Sequence, residues 1–373
     1  MKKSIKQGAT AICLCMCLSG CGKVSGDKIV SPGQQTEAVS RTEENIEQSE
    51  KTDFFPESYS KQTEKVRFEC QLEVPENFDV SDFHNPDITG ELSNDYDKIY
   101  AKYVEGKVTT EEHHDGQDGK RMDAYIFSDG SVAWISDTEG FTYSVPAMSR
   151  YEAVVRSSER GAPKDNFAFS TGDDCTKQVK DTLKSIGLPV DEYQLGWFST
   201  SGNEYSTLEQ QALKDGMIDS RNVSQDGWTE ADDSYEIYGW QTYEGLQVLP
   251  WLMTSAMSRA VESYKRAPVS ALYTQQGMLS LALTDQPFIF KPGEKTSEFL
   301  PFPEIADAVV QKYDSLLDDT VYTVSRAKLV LNTYHDDNRQ LEAEPVWYFE
   351  VTGGSSMEIV LINAVTGSEI YLN

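Results

Sequence analysis

AEPVWYFEV (Ala343–Val351) and IVLINAVTGSEIY (Ile359–Tyr371) decide how this chain is read. Both are runs of β-branched and aromatic residues long enough for strands, and both are bounded by polar residues that interrupt the pattern. Thr366-Gly367 marks a turn, because glycine supplies the positive φ that other residues resist, and a short final strand follows it. Upstream, Tyr322–Tyr334 reads as another strand. Before that, Ile305, Val309, Tyr313 and Leu316, with Ala306 and Val310, fall on one face of a helix over Pro303–Leu317, its start led by Pro301 and Pro303.

Moving outward, the same order occurs once more. Cys175, Val179, Leu183 and Ile186 define a helical face that Thr171 or Asp173 can cap and that Gly187 and Pro189 stop. Ser206-Thr207-Leu208-Glu209 has the form of a capping box opening a second helix, which ends at Gly216. A tyrosine-rich strand spans Tyr235–Tyr243, turns at Glu244-Gly245 and returns through Leu246 and Val248. Thr254–Lys265 is either helical or irregular. Met278–Leu283 and Phe288–Phe290 read as a hairpin around Asp285-Gln286-Pro287. Helix, strand, gap, strand, strand thus occurs over about 173–291 and again over 301–373, an architectural echo with little residue identity.

Ahead of these lies a β-rich stretch. Val66, Phe68, Cys70, Leu72 and Val74 alternate with polar residues up to Pro75. Ala124–Phe127 and Val132–Ile135 flank Ser128-Asp129-Gly130-Ser131, a strong hairpin signal. Asn85–Gly119 is ambiguous: Tyr96, Ile99, Tyr100 and Tyr103 have helical spacing within a segment rich in Tyr and Val. The expected fold class is therefore α+β, with helices packed on antiparallel sheets in two modules preceded by a β-rich segment. The expected divisions are 1–20, 21–65, 66–170, 171–295 and 296–373.

The C-terminal stretch carries a resemblance. Pro345, Val346 and Trp347 on the strand, and Asn363, Ala364, Thr366 and Gly367 at the closing turn, are similar to the PepSY domain and its relatives. These include extracytoplasmic proteins that restrain a cell-wall-sensing histidine kinase. The resemblance covers about the last 70 residues, and the preceding 120 more loosely. It implies a helix on an antiparallel sheet and an extracytoplasmic setting, with no specific activity.

The front end agrees with that setting. Lys2, Lys3 and Lys6 precede an apolar run from Ala9 to Leu18, the layout of a secretory signal and too short to span a bilayer. Leu18-Ser19-Gly20-Cys21 resembles the lipobox of bacterial lipoproteins. That resemblance implies removal of residues 1–20 and lipidation of Cys21; a plain secretory cut elsewhere is the alternative. The whole layout resembles lipoproteins of Gram-positive gut bacteria. Residues 22–65, poor in large apolar side chains, read as a disordered tether. The anchor is the expected contact with the membrane.

Formal net charge is −28, and removal of residues 1–20, with three lysines and no acid, takes it to −31. Such acidity argues against nucleic acid and anionic lipid headgroups as partners. Cys70 and Cys175 are left to form a disulfide or to sit as buried thiols.

Candidate chemistry is sparse. Glu111-Glu112-His113-His114-Asp115, with Asp118, is the densest group of metal-ligand side chains. Neighbouring residues on a strand face opposite ways, so the two histidines do not suit one ion, and a solvated acidic loop is the simpler account. No metal or cofactor is expected. Ser58-Tyr-Ser-Lys61 and Ser325-Arg-Ala-Lys328 fit SxxK, but one lies in the tether and the other in a strand, so neither sets serine and lysine one helical turn apart. Acidic pairs are too numerous for a glycosidase pair to be picked out. Tyr238, Trp240 and Trp251 are the candidate binding residues, since aromatics supply contact area at sugar and peptide surfaces; cross-strand packing is the other account of them. These features point to a membrane-anchored extracytoplasmic protein, non-enzymatic, that binds an envelope protein or wall component. A surface carbohydrate-binding protein or hydrolase is the alternative.

Overall fold

The computed structural model describes residues 54–371, apart from 77, 93–94, 116–120, 137–139, 158–164, 220–222, 225, 250–266, 285–286, 296–297, 337 and 355. The signal, Cys21 and most of the 22–65 segment lie outside the described residues, as do Thr254–Lys265 and Trp251.

The strands in chain order are β1 (Ser58–Gln62), β2 (Val66–Glu73), β3 (His84–Glu91), β4 (Val108–Asp115), β5 (Arg121–Phe127), β6 (Val132–Ser136), β7 (Gly140–Ser144), β8 (Tyr193–Thr200), β9 (Ser234–Tyr243), β10 (Leu246–Leu249), β11 (Val269–Thr274), β12 (Gly277–Leu283), β13 (Phe288–Lys295), β14 (Tyr322–His335), β15 (Leu341–Gly353), β16 (Ser356–Asn363) and β17 (Glu369–Ile370). Five helices of eight or more residues accompany them among the described residues: α1 (Tyr96–Tyr103), α2 (Met148–Ser157), α3 (Gly172–Ser185), α4 (Gly202–Lys214) and α5 (Phe302–Asp314).

This corrects the expected fold class. Among the described residues strand outweighs helix, 46% to 23%, and fifteen strands form one mixed sheet rather than helices on separate antiparallel sheets in two modules. The main path runs β17-β16-β15-β14-β10-β9-β11-β12-β7-β6-β5-β4. β1 joins through β2, β2 through β14 and β8 through β9, while β3 and β13 form a separate pair. The hairpin signals in the sequence are local and do not name partners distant in the chain. Two pairings are parallel, β2 with β14 and β10 with β14. Parallel partners need long crossovers, and local alternation carries no trace of them.

Residues 54–65 correct the tether's extent. β1 pairs with β2 from Ser58↔Gln71 to Gln62↔Arg67. Tyr59 supplies the apolar contact that a polar segment otherwise lacks, its ring set edge-on to Phe68 and Phe302. The expected hairpin of Met278–Leu283 with Phe288–Phe290 also fails, because β12 pairs with β11 and β7 whereas β13 pairs with β3.

Other local readings hold. Thr171 caps α3, its hydroxyl accepting from the Asp174 N–H. Its face, Cys175, Val179 and Leu183, is buried with Tyr235, Ile237 and Leu281. On α5, Phe302, Ile305, Ala306, Val309 and Tyr313 are buried against Phe68, Leu329, Trp347 and Phe349. The Asn363–Gly367 turn is held by Asn363, whose Oδ1 accepts from the N–H groups of Val365 (2.9 Å) and Thr366 (2.8 Å), with Gly367 at φ 71°. Cys70 and Cys175 are free, buried thiols in different apolar clusters. Burial pushes the Cys70 thiol up to about 11.

Candidate groove at the gap in the sheet

β14 explains where the molecule is concave. One of its edges is shared by two strands laid end to end. β2 occupies it as far as Lys328↔Glu73, and β10 takes it up from Val330↔Gln247. Between them, Leu329 is opposite neither strand. β2 leaves the sheet there because Val74-Pro75 follows and proline cannot donate to a ladder. Diverging neighbours of a parallel pair leave a crevice at the carboxyl end of the strand. Here it is a groove of about 940 Å³, lined from the 73–83 segment, the start of β8, the β9–β10 turn and Lys328-Leu329.

Glu73, Gln247 and Lys328 give the floor polar groups, and Arg326, which is not itself in the lining, holds Glu73 in place. Arg326 grips Glu73 in a bidentate pair, Nε to Oε1 at 2.5 Å and Nη2 to Oε2 at 2.7 Å, with Nη1 reaching Glu350 at 3.3 Å. Burial alone would raise the Glu73 carboxyl, but Arg326 and then Lys328 outweigh it and hold the group below its ordinary value. Lys328 Nζ donates to Gln247 Oε1 at 2.5 Å. Gln247 is 6% exposed, and among the described residues its Nε2 has no acceptor. The rim is acidic: Glu76, Asp79, Asp82 and Glu244 are all exposed. Glu244 and Gly245 hold the β9–β10 turn at φ 46° and 86°, the pattern of a tight hairpin turn, and Glu244 Oε2 accepts the His84 N–H at 3.3 Å.

Of the aromatics singled out from sequence, Tyr238 and Trp240 do not line this groove, and Trp251 lies outside the described residues. Trp240 is 6% exposed, buried with Leu249, Val330, Val346 and Tyr348 on the outer face of the C-terminal strands. Tyr238 packs beside the same cluster, over Gly196, where an added Cβ would lie 2.8 Å from the ring. Both are placed by cross-strand packing. Trp347, Tyr348 and Phe349 are fully buried as well.

The acidic segment 111–115 is no loop: it forms edge strand β4, paired His113↔Asp123 with β5. His113 Nδ1 donates to the buried Asp123 Oδ1 at 2.6 Å, and its Nε2 lies 3.4 Å from Glu111. The Tyr96 and Tyr125 hydroxyls also donate to Asp123. Asp118 and the side chains of His114 and Asp115 lie outside the described residues. Among the described residues, no three His, Cys, Asp or Glu side chains converge as a metal site. Both SxxK matches fall on strands, Ser58–Lys61 in β1 and Ser325–Lys328 in β14.

The groove's key residues, Glu73, Gln247 and Lys328, went unnoticed in the sequence. Each looks like an ordinary polar position on a strand, and only the end-to-end placement of β2 and β10 brings them together.

No protein-family model matches the sequence, and no curated protein matches it. Solved structures do. A protein described as uncharacterized from Eubacterium rectale ATCC 33656 aligns with TM-score 0.58 and 13% identity, over 88% of this chain and 99% of that one. It shares the fold. The Bacillus megaterium YpeB C-terminal domain aligns over 75% of this chain and 96% of that one, at TM-score 0.30 and 11% identity, an overlap that carries no argument.

Proposed function

We propose that this chain is a lipoprotein, anchored through Cys21 at the extracytoplasmic face of the membrane, that acts there as a non-enzymatic binding protein. Its ligand site is the groove between β2 and β10. The observation that carries the reading is Gln247, a groove-lining residue whose buried amide nitrogen has no acceptor among the described residues. An unsatisfied buried donor costs about 1–3 kcal/mol, and a ligand oxygen relieves it. The Leu18–Cys21 motif supports the anchor, and the PepSY-like hairpin supports an extracytoplasmic binding role. Trp240, enclosed in the sheet, offers no platform for a sugar ring.

A photocrosslinking residue in place of Gln194, at the groove, tests this in envelopes of the source cell. The expected result is a discrete adduct that is missing when the same residue replaces Thr207 on α4. The Cys21→Ala chain should appear in the medium and give no adduct. Identical adducts from both positions, or none from either, would overturn the groove as the binding site.

A further inference from the structure

Resting on that reading, the geometry points to a basic, extended peptide segment of a partner protein as the occupant of the groove. Gln247 lines the floor, and among the described residues its buried Nε2 has no hydrogen-bond partner, a donor that a ligand oxygen such as a peptide carbonyl would satisfy. The rim offers four exposed carboxylates, Glu76, Asp79, Asp82 and Glu244, which favour cationic side chains and repel anionic ones. Between floor and rim, Val74, Pro75 and Phe78 give partly buried apolar surface for the aliphatic stems of lysine or arginine. An amide oxygen, a cationic head and an apolar stem occur together on a basic peptide.

Other ligand chemistries fit less of this. A bare cation needs converging ligands, and among the described residues no such group exists. An anionic polymer meets the rim with like charge. A neutral sugar finds only the half-buried Phe78 as an aromatic face among the described lining residues, since Phe83 and Tyr193 are 1% and 7% exposed, and it makes no use of the acidic rim.

The full chain in detergent is titrated with two fluorescein-labelled octapeptides, one alternating lysine and valine, the other glutamate and valine, followed by anisotropy. The lysine peptide should bind and the glutamate peptide should not, with affinity falling as sodium chloride is raised. Gln247→Leu should weaken the lysine peptide about fivefold through the lost donor. Because Gln247 is buried, a second variant guards against misfolding. Glu76→Gln, Asp82→Asn and Glu244→Gln together, all on the exposed rim, should weaken it by about tenfold or more and flatten the salt dependence. Equal affinity for both peptides, or rim variants that bind the lysine peptide as tightly as the parent, would overturn the proposal. If neither peptide binds while the Gln194 crosslink still yields its adduct, the basic peptide is overturned and the groove stands as a binding site. If the adduct is missing too, both fall.

Discussion

Glu344 shows what a single half-buried carboxyl does to this sheet. It sits on β15 directly opposite Asn332 of β14. Burial raises its carboxyl above the ordinary value, while the amides of Asn363 and Asn332 pull the other way without cancelling it. The sign follows. Between the ordinary value near 4.5 and the raised one, the folded chain holds a proton that the unfolded chain has lost. Stability therefore falls as pH climbs through that window, and the ionised form is a burden at neutral pH. Glu344→Gln keeps an oxygen for the Asn363 amide and removes the charge. Urea denaturation should find the variant at least as stable as the parent at pH 7 and lose any advantage at pH 4. A variant weaker than the parent at pH 7 alone would contradict this. Asn363 was legible beforehand through the turn it holds. Its partner was not, because Glu344 occupies a position that sequence alternation assigns to solvent.

At the scale of elements, α3, α5 and the tight turns were legible because their signals are local, whereas α2 drew no reading. The α3 stripe with its Thr171 cap, the α5 face and the Asp129-Gly130 turn each lie within a dozen residues. The start of α4 is the informative miss. Ser206-x-x-Glu209 has the form of a capping box, yet the helix starts one turn earlier. There Ser201 Oγ accepts the Glu204 N–H, and Glu204 Oε2 accepts the Ser201 N–H at 2.7 Å. Glu209 is instead buried in mid-helix, its carboxylate accepting the Ser224 N–H at 2.8 Å. Gly202 fixes the choice: its missing side chain leaves room for the Thr229 carbonyl, which an added Cβ would meet at 2.0 Å. Thermal unfolding separates the two sites. Ser201→Ala should cost about 1 kcal/mol through the lost cap, whereas Ser206→Ala, at a half-buried position that caps nothing, should stay within about 0.5 kcal/mol. Equal effects would mean the observed cap is not what holds this end.

The whole molecule is joined by pairings between residues far apart in the chain, and these were illegible. β14 meets β2 some 250 residues upstream, and the largest apolar cluster draws Val66, Phe68 and Cys70 from one end and Trp347, Phe349 and Ile362 from the other. Alternation along β2 announced a strand with one buried face, but nothing in it named the partner, because any apolar face satisfies the same pattern. Two consequences follow from the shared cluster. The groove depends on both chain ends, since Glu73 and Lys328 come from β2 and β14. The β2 side chains also support C-terminal aromatics: Phe68 is fully buried, with its ring 6.4 Å from that of Phe349 and edge-on to it. Phe68→Ala should therefore lower stability by about 3–5 kcal/mol, the range for a large aromatic removed from a core. The loss should appear in tryptophan fluorescence, to which the buried Trp347 contributes, as fully as in far-ultraviolet circular dichroism. A fluorescence transition unmoved by Phe68→Ala would mean that the C-terminal strands hold together without β2, and that the groove's two walls belong to separately folding parts.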